Sequence, residues 1–378
     1  MRVCLLSSVH RALDNRVFFR EARTLARAGH EVTLISVHDR DEVHDGIRIV
    51  ALPRVPRWRR PVLWWLLLRR ALATDADIFH FHDPELLFVI PLLRLRSGRP
   101  TVYDVHEAYP EFFAVKDYLP AWVRYPMAWM FRVLEPHLAR LHSALVFADD
   151  ATPSAFRRLT RPKVVLHNFP DTELIQAGGT RLETVATREP VVIYLGGLER
   201  NRGSRLMIEA FAQVHRKHPE ARLLHVGHFM PPELEQEVLR DAQRHGLGEA
   251  VRFVGRVPFD EVGRHLERAA VGWVTWQPYP KNQKNVPTKL FEYMAYGLPV
   301  VSSDLDSTRR FVDDGVSGKL VRADDAGAHA EAIIDLLEDR RAAAAIGLRG
   351  REQVLARYNW RLIEGRLLDL YELLDQST

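Results

Sequence analysis

Hydrophobic residues recur along the first half of the chain as short runs, separated by longer stretches with helical spacing. Seven runs rich in β-branched and aromatic residues predict strands at residues 3–8, 32–37, 47–52, 78–82, 101–106, 144–148 and 164–167. The stretches between them, including residues 16–28 and 84–95, have the apolar spacing of crossover helices. Strands that alternate with helices in this way predict a parallel, doubly wound α/β sheet.

Residues 169–190 interrupt this pattern with proline, glycine and threonine, and then the alternation restarts. Further strands are predicted at residues 191–195, 222–226, 251–254, 271–276, 300–303 and 318–321. The final apolar stripe, at residues 360–374, has helical spacing and no strand after it, so it must pack on a core already formed. We therefore predict two doubly wound domains, at residues 1–170 and 171–359, with the terminal helix at 360–378 added to the first.

The composition fits two globular domains, because the chain has 378 residues, of which 47% are hydrophobic and 27% charged. The single cysteine, Cys4, excludes an intrachain disulfide and a cysteine-rich zinc site, and a cytoplasmic location is expected. The first residues lack the pattern of an export signal. No apolar run reaches the roughly 18 residues that a membrane span needs.

Positive charge is concentrated in the first half: residues 1–174 carry 25 basic and 20 acidic residues, against 28 and 29 in the remainder. Residues 53–73 contain six arginines, three tryptophans and no acidic residue, which is typical of a helix lying on an anionic membrane. The residues expected at the membrane are Trp58, Arg59, Arg60, Trp64, Trp65, Arg69 and Arg70. The alternative is an ordinary crossover helix with exposed arginines. A second aromatic stretch, at residues 118–134, is a further candidate for membrane contact.

Polar residues follow two predicted strands of the first domain. His80 and His82 alternate onto one face of their strand with Asp83 beyond, and His106 and Glu107 end the next strand. Such side chains can bind a metal ion, but no metal is expected here, and we favour histidines that line a ligand site.

A glycine pair lies where the first strand of the second domain passes into a helix, in the sequence YLGGLERNRG at residues 194–203. Gly196 and Gly197 let the backbone approach a bound group, and Arg200 and Arg202 supply positive charge. The loop predicts diphosphate binding, and a tight turn with solvated arginines is the alternative. It is neither a dinucleotide fingerprint nor a Walker loop, because the further glycine and the Gly-Lys-Ser/Thr are absent.

The most informative stretch is NVPTKLFEYMAYGLPVVSSD at residues 285–304, a helix that ends at Gly297 before a buried strand. It resembles the nucleotide-sugar site of GT-B glycosyltransferases, specifically the retaining family 4 group that shares its architecture with glycogen synthase. In that family, a glutamate on this helix contacts the ribose hydroxyls of the donor, and Glu292 occupies its place. The resemblance extends over the chain, through GHEV, HDPELL, YDVHE, the glycine loop and the closing YNW.

The resemblance implies a GT-B fold of two Rossmann-like domains facing a central cleft, with the terminal helix packing back on the N-terminal domain. Donor binding is implied for Gly196, Gly197, Arg200, Arg202, Asn285, Thr288, Lys289, Leu290 and Glu292. The implied catalytic residues are His106, which would contact the donor sugar or its phosphate, and Arg202 and Lys289, which would stabilise the leaving diphosphate. The implied acceptor-side residues are Asp14, Arg16, His82 and Glu107. For Asp14 and Arg16, a helix N-cap and a solvated arginine are the alternatives.

Two positions depart from the family pattern. Lys284 stands where the first of two glutamates normally approaches the donor sugar. Asn282, Gln283, Lys284 itself and Asn285 are polar replacements for it, and the backbone amides of the loop could also serve. Gly197 stands where many members carry an arginine, whose charge Lys289 or Arg200 could supply.

The sequence thus predicts a retaining glycosyltransferase that moves a sugar from a nucleotide diphosphate donor, expected to be a UDP-sugar, to a glycan or lipid-linked acceptor. No cofactor beyond this donor substrate and no nucleic acid partner are expected. The bias to 46 arginines over seven lysines suggests a GC-rich bacterial genome, and so a role in envelope polysaccharide or glycolipid synthesis at the inner face of the plasma membrane. Two alternatives stay open: a nucleotide-sugar 2-epimerase of similar fold, and a catalytically silent subunit that binds a membrane or partner.

Overall fold

The structure is a computed structural model that describes residues 1–116, 119–172 and 181–376. The chain forms two compact units, one comprising Met1–Asn168 with Trp360–Thr378 and the other Phe169–Asn359. Within the predicted interruption at 169–190, residues 173–180 lie outside the described residues, and Leu182–Ala186 forms a short helix.

The first unit contains eight strands among its described residues. They are β1 (Arg2–Arg11), β2 (Glu31–Val37), β3 (Glu42–His44), β4 (Ile47–Leu52), β5 (Ile78–Phe81), β6 (Thr101–Val105), β7 (Ala144–Phe147) and β8 (Lys163–Val165). The order is β3-β4-β2-β1-β5-β6-β7-β8, and every neighbouring pair is parallel except β3 with β4. The seven predicted strands are confirmed. The sequence missed β3 because its three residues, Glu-Val-His, are too few to show alternation.

Helices and short turns cover this sheet. They are α1 (Arg23–Arg27), which continues a π-helical segment at Val17–Ala22, α2 (Arg60–Leu72), α3 (Ile90–Ser97), α4 (Tyr109–Ala114) and α5 (Ala121–Ala139), with 3₁₀ turns at Arg57–Arg59, Pro84–Phe88 and Thr152–Phe156. Helices α2, α3 and α5 pack on one core cluster, which includes Leu67, Leu93 and Phe131. The central strands β1, β5 and β6 are parallel, so the residues that follow them, including His82 and His106, share one edge of the sheet.

The second unit contains, within its described part, a six-stranded parallel sheet of order β11-β10-β9-β12-β13-β14. Its elements are α6 (Leu182–Ala186), β9 (Val191–Leu195), α7 (Ser204–Lys217), β10 (Arg222–Val226), α8 (Leu234–Arg244), β11 (Val251–Gly255), α9 (Phe259–Arg268), β12 (Val271–Val274), α10 (Pro280–Lys284), α11 (Thr288–Ala295), β13 (Val300–Ser303), α12 (Asp306–Arg309), β14 (Lys319–Val321), α13 (Ala326–Glu338) and α14 (Arg340–Arg357). All six predicted strands are confirmed.

The terminal helix, α15 (Gly365–Asp375), packs on the first unit, as the sequence predicted. The Tyr371 hydroxyl lies 2.9 Å from Nδ1 of buried His80. Just before the helix, the indole N–H of Trp360 donates to the Thr24 hydroxyl at 2.8 Å. These buried polar contacts fix the helix in place against the sheet.

Candidate active site

Asp83 joins the ends of β1 and β5 at the carboxyl edge of the first sheet. Its buried carboxylate accepts hydrogen bonds from the Ser7 hydroxyl (2.8 Å) and from the backbone N–H groups of Ser8 (2.6 Å) and Val9 (3.1 Å). These bonds satisfy the backbone where β1 reaches this edge, so the loop that follows is fixed against β5.

Arg16 is a buried cation, because only 5% of its side chain is exposed. Its guanidinium donates to both carboxylate oxygens of Asp104, at 2.8 and 3.0 Å, and its Nε lies 3.0 Å from Glu21. Nη1 donates to the backbone oxygen of Leu166 and to the side-chain oxygen of Asn168. Neither the acceptor contact predicted for Arg16 nor the solvated arginine of the alternative fits this environment.

The pKa values of the two carboxyl groups beside Arg16 shift in opposite directions. Burial alone would raise the pKa of Asp104, but Arg16 and His106 hold that pKa well below its ordinary value. Burial and the charge of Asp104 raise the pKa of Glu21 well above its ordinary value. Arg16 therefore favours the ionised form of Asp104, while burial disfavours the ionised form of Glu21.

Three histidines surround Asp104. The rings of His80 and His82 stack with their centroids 4.7 Å apart, which confirms that they share one face of β5. His82 Nδ1 and His106 Nε2 lie 3.3 and 3.4 Å from Asp104 and 3.2 Å from each other. Burial lowers the pKa of His82 to about 4, so this ring is neutral, whereas His106 keeps 11% of its side chain exposed. His106 thus connects the buried group to the edge of the sheet, where partly buried Glu107 follows it.

The buried group also has the donor types of a metal site. One ligand atom each from Glu21, His80, His82 and Asp104 lies within 4.8 Å of the others. The guanidinium of Arg16, however, already pairs with both carboxylates. We therefore assign this cluster to ion pairing.

Asp14 caps the helical segment that follows β1. Its Oδ1 accepts hydrogen bonds from the backbone N–H groups of Arg16 (2.8 Å) and Val17 (3.1 Å), which matches the N-cap alternative. Its other oxygen lies 3.2 Å from Nδ1 of His10.

His10 is a site residue that the sequence did not reveal. Its imidazole lies between Asp14 and Asp83, at 3.2 and 3.6 Å, and its ring centroid is 5.0 Å from that of His106. Burial would lower the pKa of His10, but the surrounding carboxylates outweigh it and raise that pKa to about 9. A charged imidazolium therefore stands beside His106 at neutral pH.

We expect His10 to stabilise the protein in a pH-dependent way. Because its pKa is raised in the folded state, its contribution is fully present below its unfolded pKa, about 6.5, and disappears as pH rises through about 9. Urea unfolding of wild type and His10→Gln should therefore differ most near pH 6 and converge above pH 9. The exposed control His245→Gln should show no such trend, and a constant difference for His10→Gln would contradict the ion-pair account.

In the second unit, the loop between β9 and α7 folds back on the ends of β10 and β12. Gly196 has φ 87°, and its N–H donates to Val226 O at 2.7 Å. Gly203 has φ 79°, and a Cβ there would lie 2.2 Å from Thr275 O. Only glycine fits this position.

Gly197 faces His228, which follows β10. A Cβ at Gly197 would lie 3.1 Å from His228 Cε1, and His228 Nε2 is 3.1 Å from Nη2 of Arg256, which follows β11. Polar groups from these two strand ends thus border the position where the family pattern has an arginine. The sequence analysis missed both residues, whose one signal was their place directly after predicted strands.

The two arginines of the loop have different surroundings. Arg202 Nη1 donates to Gly197 O at 2.8 Å, and its Nη2 lies 3.4 Å from Glu199. Arg200 forms an exposed ion pair with Glu237 on α8. The geometry therefore keeps Arg202 at the glycine loop and gives no support to Arg200 as the source of the charge missing at Gly197.

Lys289 on α11 is buried, with 6% exposed. Its Nζ lies 3.5 Å from the centroid of the Tyr194 ring and 3.9 Å from where a Cβ at Gly196 would stand, and it has no hydrogen-bond partner among the described residues. Burial, and then Arg202, lower the pKa of Lys289 well below its ordinary value, while Glu292 opposes them. Such a buried ammonium costs free energy that a bound anion would offset.

The other residues of α11 that were predicted to bind the donor differ in how deeply they are buried. Glu292 is half-buried and lies three residues after Lys289, on the same helix face. Thr288 begins the helix and is partly exposed. Leu290 is fully buried, and its N–H donates to Pro287 O at 3.0 Å, so its predicted donor contact is not supported.

Most of the polar residues around Lys284 form hydrogen bonds within the second unit. The amide nitrogen of Asn282 donates to Asn201 O at 2.8 Å, and the side-chain oxygen of Gln283 accepts a backbone N–H of α12. Asn285 is buried, and its side-chain oxygen has no hydrogen-bond partner among the described residues. Of these three amides, Asn285 is therefore the best replacement for the missing glutamate.

The arginine- and tryptophan-rich segment forms α2 and the turn before it. Only some of the residues predicted to contact a membrane are largely exposed. Trp58 and Trp65 are 72% and 61% exposed, and Arg59 and Arg69 are also exposed. No helix among the described residues is long and apolar enough to cross a membrane.

Three of those predicted residues are partly exposed and form hydrogen bonds to the protein. The Trp64 indole N–H and Arg60 Nη1 donate to Glu85, at 3.3 and 3.2 Å. Arg70 donates to the backbone oxygen of Ala51. The membrane contact of Trp64, Arg60 and Arg70 stays a prediction, which these bonds favour less than that of Trp58 and Trp65, because a helix turns only one face fully outwards.

Solved structures identify the fold. Sucrose-phosphate synthase from Thermosynechococcus elongatus matches with a TM-score of 0.80, 21% identity and 100% coverage of both chains. Anabaena HepE in complex with UDP and glucose matches with a TM-score of 0.75, 17% identity and coverage of 98% of this chain and 99% of that one. The fold is that of the GT-B glycosyltransferases.

Sequence comparison then gives the family. Residues 15–174 match the model "Glycosyltransferase Family 4" and residues 189–339 match "Glycosyl transferases group 1". The phosphatidyl-myo-inositol mannosyltransferase of Mycobacterium leprae is 34% identical over 311 residues, 80% of this chain and 75% of the relative. The GDP-mannose-dependent alpha-(1-6)-phosphatidylinositol monomannoside mannosyltransferase of Mycolicibacterium smegmatis is 26% identical over 344 residues, 88% of this chain and 86% of the relative. The chain belongs to the family 4, or group 1, glycosyltransferases, and it is a hexosyltransferase-type enzyme.

Proposed function

We propose that this enzyme transfers a hexosyl group, with retention of configuration, from a nucleoside diphosphate donor held by the second unit to a glycan or lipid-linked acceptor held by the first. The observation that carries the proposal is the buried ammonium of Lys289, which has no hydrogen-bond partner among the described residues and lies beside Gly196. A diphosphate would supply the anion that this environment lacks.

We assign roles to the predicted donor-site residues of the second unit from their chemistry. Lys289 and Arg202 neutralise the diphosphate, whose charge rises as the sugar leaves, and Glu292 accepts hydrogen bonds from the ribose hydroxyls. The side-chain oxygen of Asn285 contacts the donor sugar in place of the glutamate lost at Lys284. For His106, whose Nε2 lies 3.4 Å from Asp104, we keep the contact with the donor sugar or its phosphate that the family resemblance implies.

A lipid-linked acceptor is favoured because two relatives are named for phosphatidylinositol substrates. We propose a role in bacterial envelope glycolipid synthesis at the inner face of the plasma membrane. For the donor base, the sequence-based expectation is uridine, whereas one relative is named as GDP-mannose-dependent. A UDP-sugar releases UDP and GDP-mannose releases GDP, so one turnover assay distinguishes the two kinds of donor.

The test is turnover of a donor panel containing UDP-glucose, UDP-galactose, UDP-N-acetylglucosamine and GDP-mannose, with phosphatidylinositol vesicles as acceptor. We expect release of one nucleoside diphosphate together with a glycosylated lipid. Conversion of a UDP-sugar to its 2-epimer without transfer would support the epimerase alternative. Nucleotide binding without any turnover would support the silent subunit.

We expect Glu292→Ala to weaken donor nucleotide binding by tens to hundreds of fold, because it loses a pair of charge-assisted hydrogen bonds worth roughly 2 to 4 kcal/mol. Calorimetric titration of UDP and GDP measures this loss, and exposed Glu331→Ala is the control. A 2′-deoxynucleotide should bind wild type more weakly than the ribonucleotide, and the variant should not distinguish the two. Unchanged discrimination in the variant would refute the ribose contact.

A further inference from the structure

Helix α5 leaves a row of large side chains exposed. Trp122, Tyr125, Trp129 and Val133 follow one another at spacings of three or four residues and are 79, 54, 68 and 37% exposed. This spacing places them on one helix face, while the opposite face packs in the core. Contiguous exposed aromatic residues of this size mark an interaction surface.

The segment of α2 carries a second row. Trp58, Val62 and Trp65 are 72, 70 and 61% exposed and have the same spacing. The other face of this helix packs in the core through Leu63, Leu67 and Ala71.

The two rows lie on helices that cover the same side of the first sheet. Both helices contribute to one core cluster, α2 through Leu67 and α5 through Phe131. Both also contact the turn Pro84–Phe88, α2 through the bonds of Trp64 to Glu85 and α5 by direct packing. Phe88, at the end of this turn, is 53% exposed. We call the following set the aromatic surface: Trp58, Val62, Trp65, Phe88, Trp122, Tyr125 and Trp129.

The charge around the aromatic surface selects its partner. Residues 53–73, 84–100 and 119–140 contain twelve arginines and two glutamates. Glu135 is buried, and Glu85 is paired with Arg60. Within the described part of these three ranges, neither glutamate is both exposed and unpaired. An aromatic face flanked by such arginine-rich segments is complementary to anionic lipid headgroups, and tryptophan and tyrosine favour the membrane interface.

We propose that the aromatic surface docks this enzyme on an anionic lipid bilayer, with α5 inserting Trp122 and Trp129 beside Trp58 and Trp65 of the α2 segment. The inference deepens the proposed function and rests on it, because a lipid-linked acceptor is met at such a surface. It extends the sequence-based expectation, which named residues 118–134 only as a further candidate, by assigning Trp122, Tyr125 and Trp129 of α5 to the surface. It leaves out Trp64, Arg60 and Arg70.

Sedimentation with vesicles tests the proposal. Wild type should pellet with vesicles of phosphatidylglycerol and phosphatidylcholine and much less with phosphatidylcholine alone. The variant Trp122→Gln/Trp129→Gln should lose affinity by about tenfold or more, because it removes two interfacial side chains. The matched control is Leu239→Gln/Leu355→Gln, whose positions on the second unit are 40 and 45% exposed, and it should pellet like wild type.

The charge requirement is tested by Arg59→Gln/Arg69→Gln, which should lose about fivefold per arginine, or about 25-fold together, at low salt. Exposed Arg205→Gln/Arg322→Gln is its control. Equal pelleting of wild type and the Trp122 and Trp129 variant would overturn the proposal, as would a wild-type dimer that this variant dissociates without any vesicle binding. Titration of wild type with UDP and GDP is an independent readout. A wild type that binds vesicles and no nucleotide would count against the proposed function and not against this surface.

Discussion

Replacing Lys289 with methionine should stabilise the nucleotide-free protein and at the same time remove most of its nucleotide diphosphate binding. The ammonium is buried without a hydrogen-bond partner among the described residues, so its removal should raise the free energy of unfolding by about 1 to 3 kcal/mol. Loss of a charge-assisted contact should weaken UDP or GDP binding by about 10- to 150-fold. Urea unfolding and calorimetric titration measure the two effects.

Two further experiments distinguish a diphosphate-binding role of Lys289 from a purely structural one. Exposed Lys217→Met should change neither quantity. The pKa of Lys289 is lowered in the free protein, so a bound diphosphate should raise it again, and binding should take up a proton at pH values between the two. Titration in buffers of different ionisation enthalpy detects this uptake. A Lys289→Met variant that is less stable than wild type and still binds nucleotide would show that the lysine has a structural role.

Replacing Arg16 with methionine should destabilise the first unit by about 3 to 5 kcal/mol, because Asp104 would then be an uncompensated buried charge. Urea unfolding of the variant measures this loss. Exposed Arg40→Met, which breaks a surface pair with Glu42, should cost less than about 1 kcal/mol.

The origin of the Arg16 effect is checked by pH and by a second substitution. The loss should shrink at low pH, where Asp104 can be protonated, and Asp104→Asn in the Arg16→Met background should restore part of the stability. A loss that is independent of pH and of Asp104 would indicate a packing defect instead.

The sequence predicted the strands and the terminal helix because their signals are local. Each confirmed strand is a short apolar run with turn residues beside it, and the terminal helix shows a regular stripe. The buried state of Arg16 could not be predicted in this way, because its partner Asp104 lies 88 residues away and meets it only when β6 is placed in the sheet. The charge state of His10 depends in the same way on Asp83, 73 residues further along the chain.

Part of the membrane prediction could have been sharper. Trp58, Val62, Trp65 and Arg69 share one helical face, and Trp64 does not, which the spacing alone already indicates. In the second domain, the family pattern proposed Glu292 and Lys289, whereas His228 and Arg256 were missed because nothing local links them to Gly197. Their proximity depends on the order β11-β10-β9, which a linear pattern does not give.

The account's central claim is that the second unit holds a nucleoside diphosphate against Gly196 and Lys289. The most direct measurement is an experimental structure of the enzyme with UDP or GDP, whichever the donor panel selects. We predict that a phosphate oxygen will lie within hydrogen-bond distance, about 3 Å, of Lys289 Nζ, and that the ribose hydroxyls will contact Glu292. A nucleotide bound elsewhere, with Lys289 still unpaired, would contradict the account.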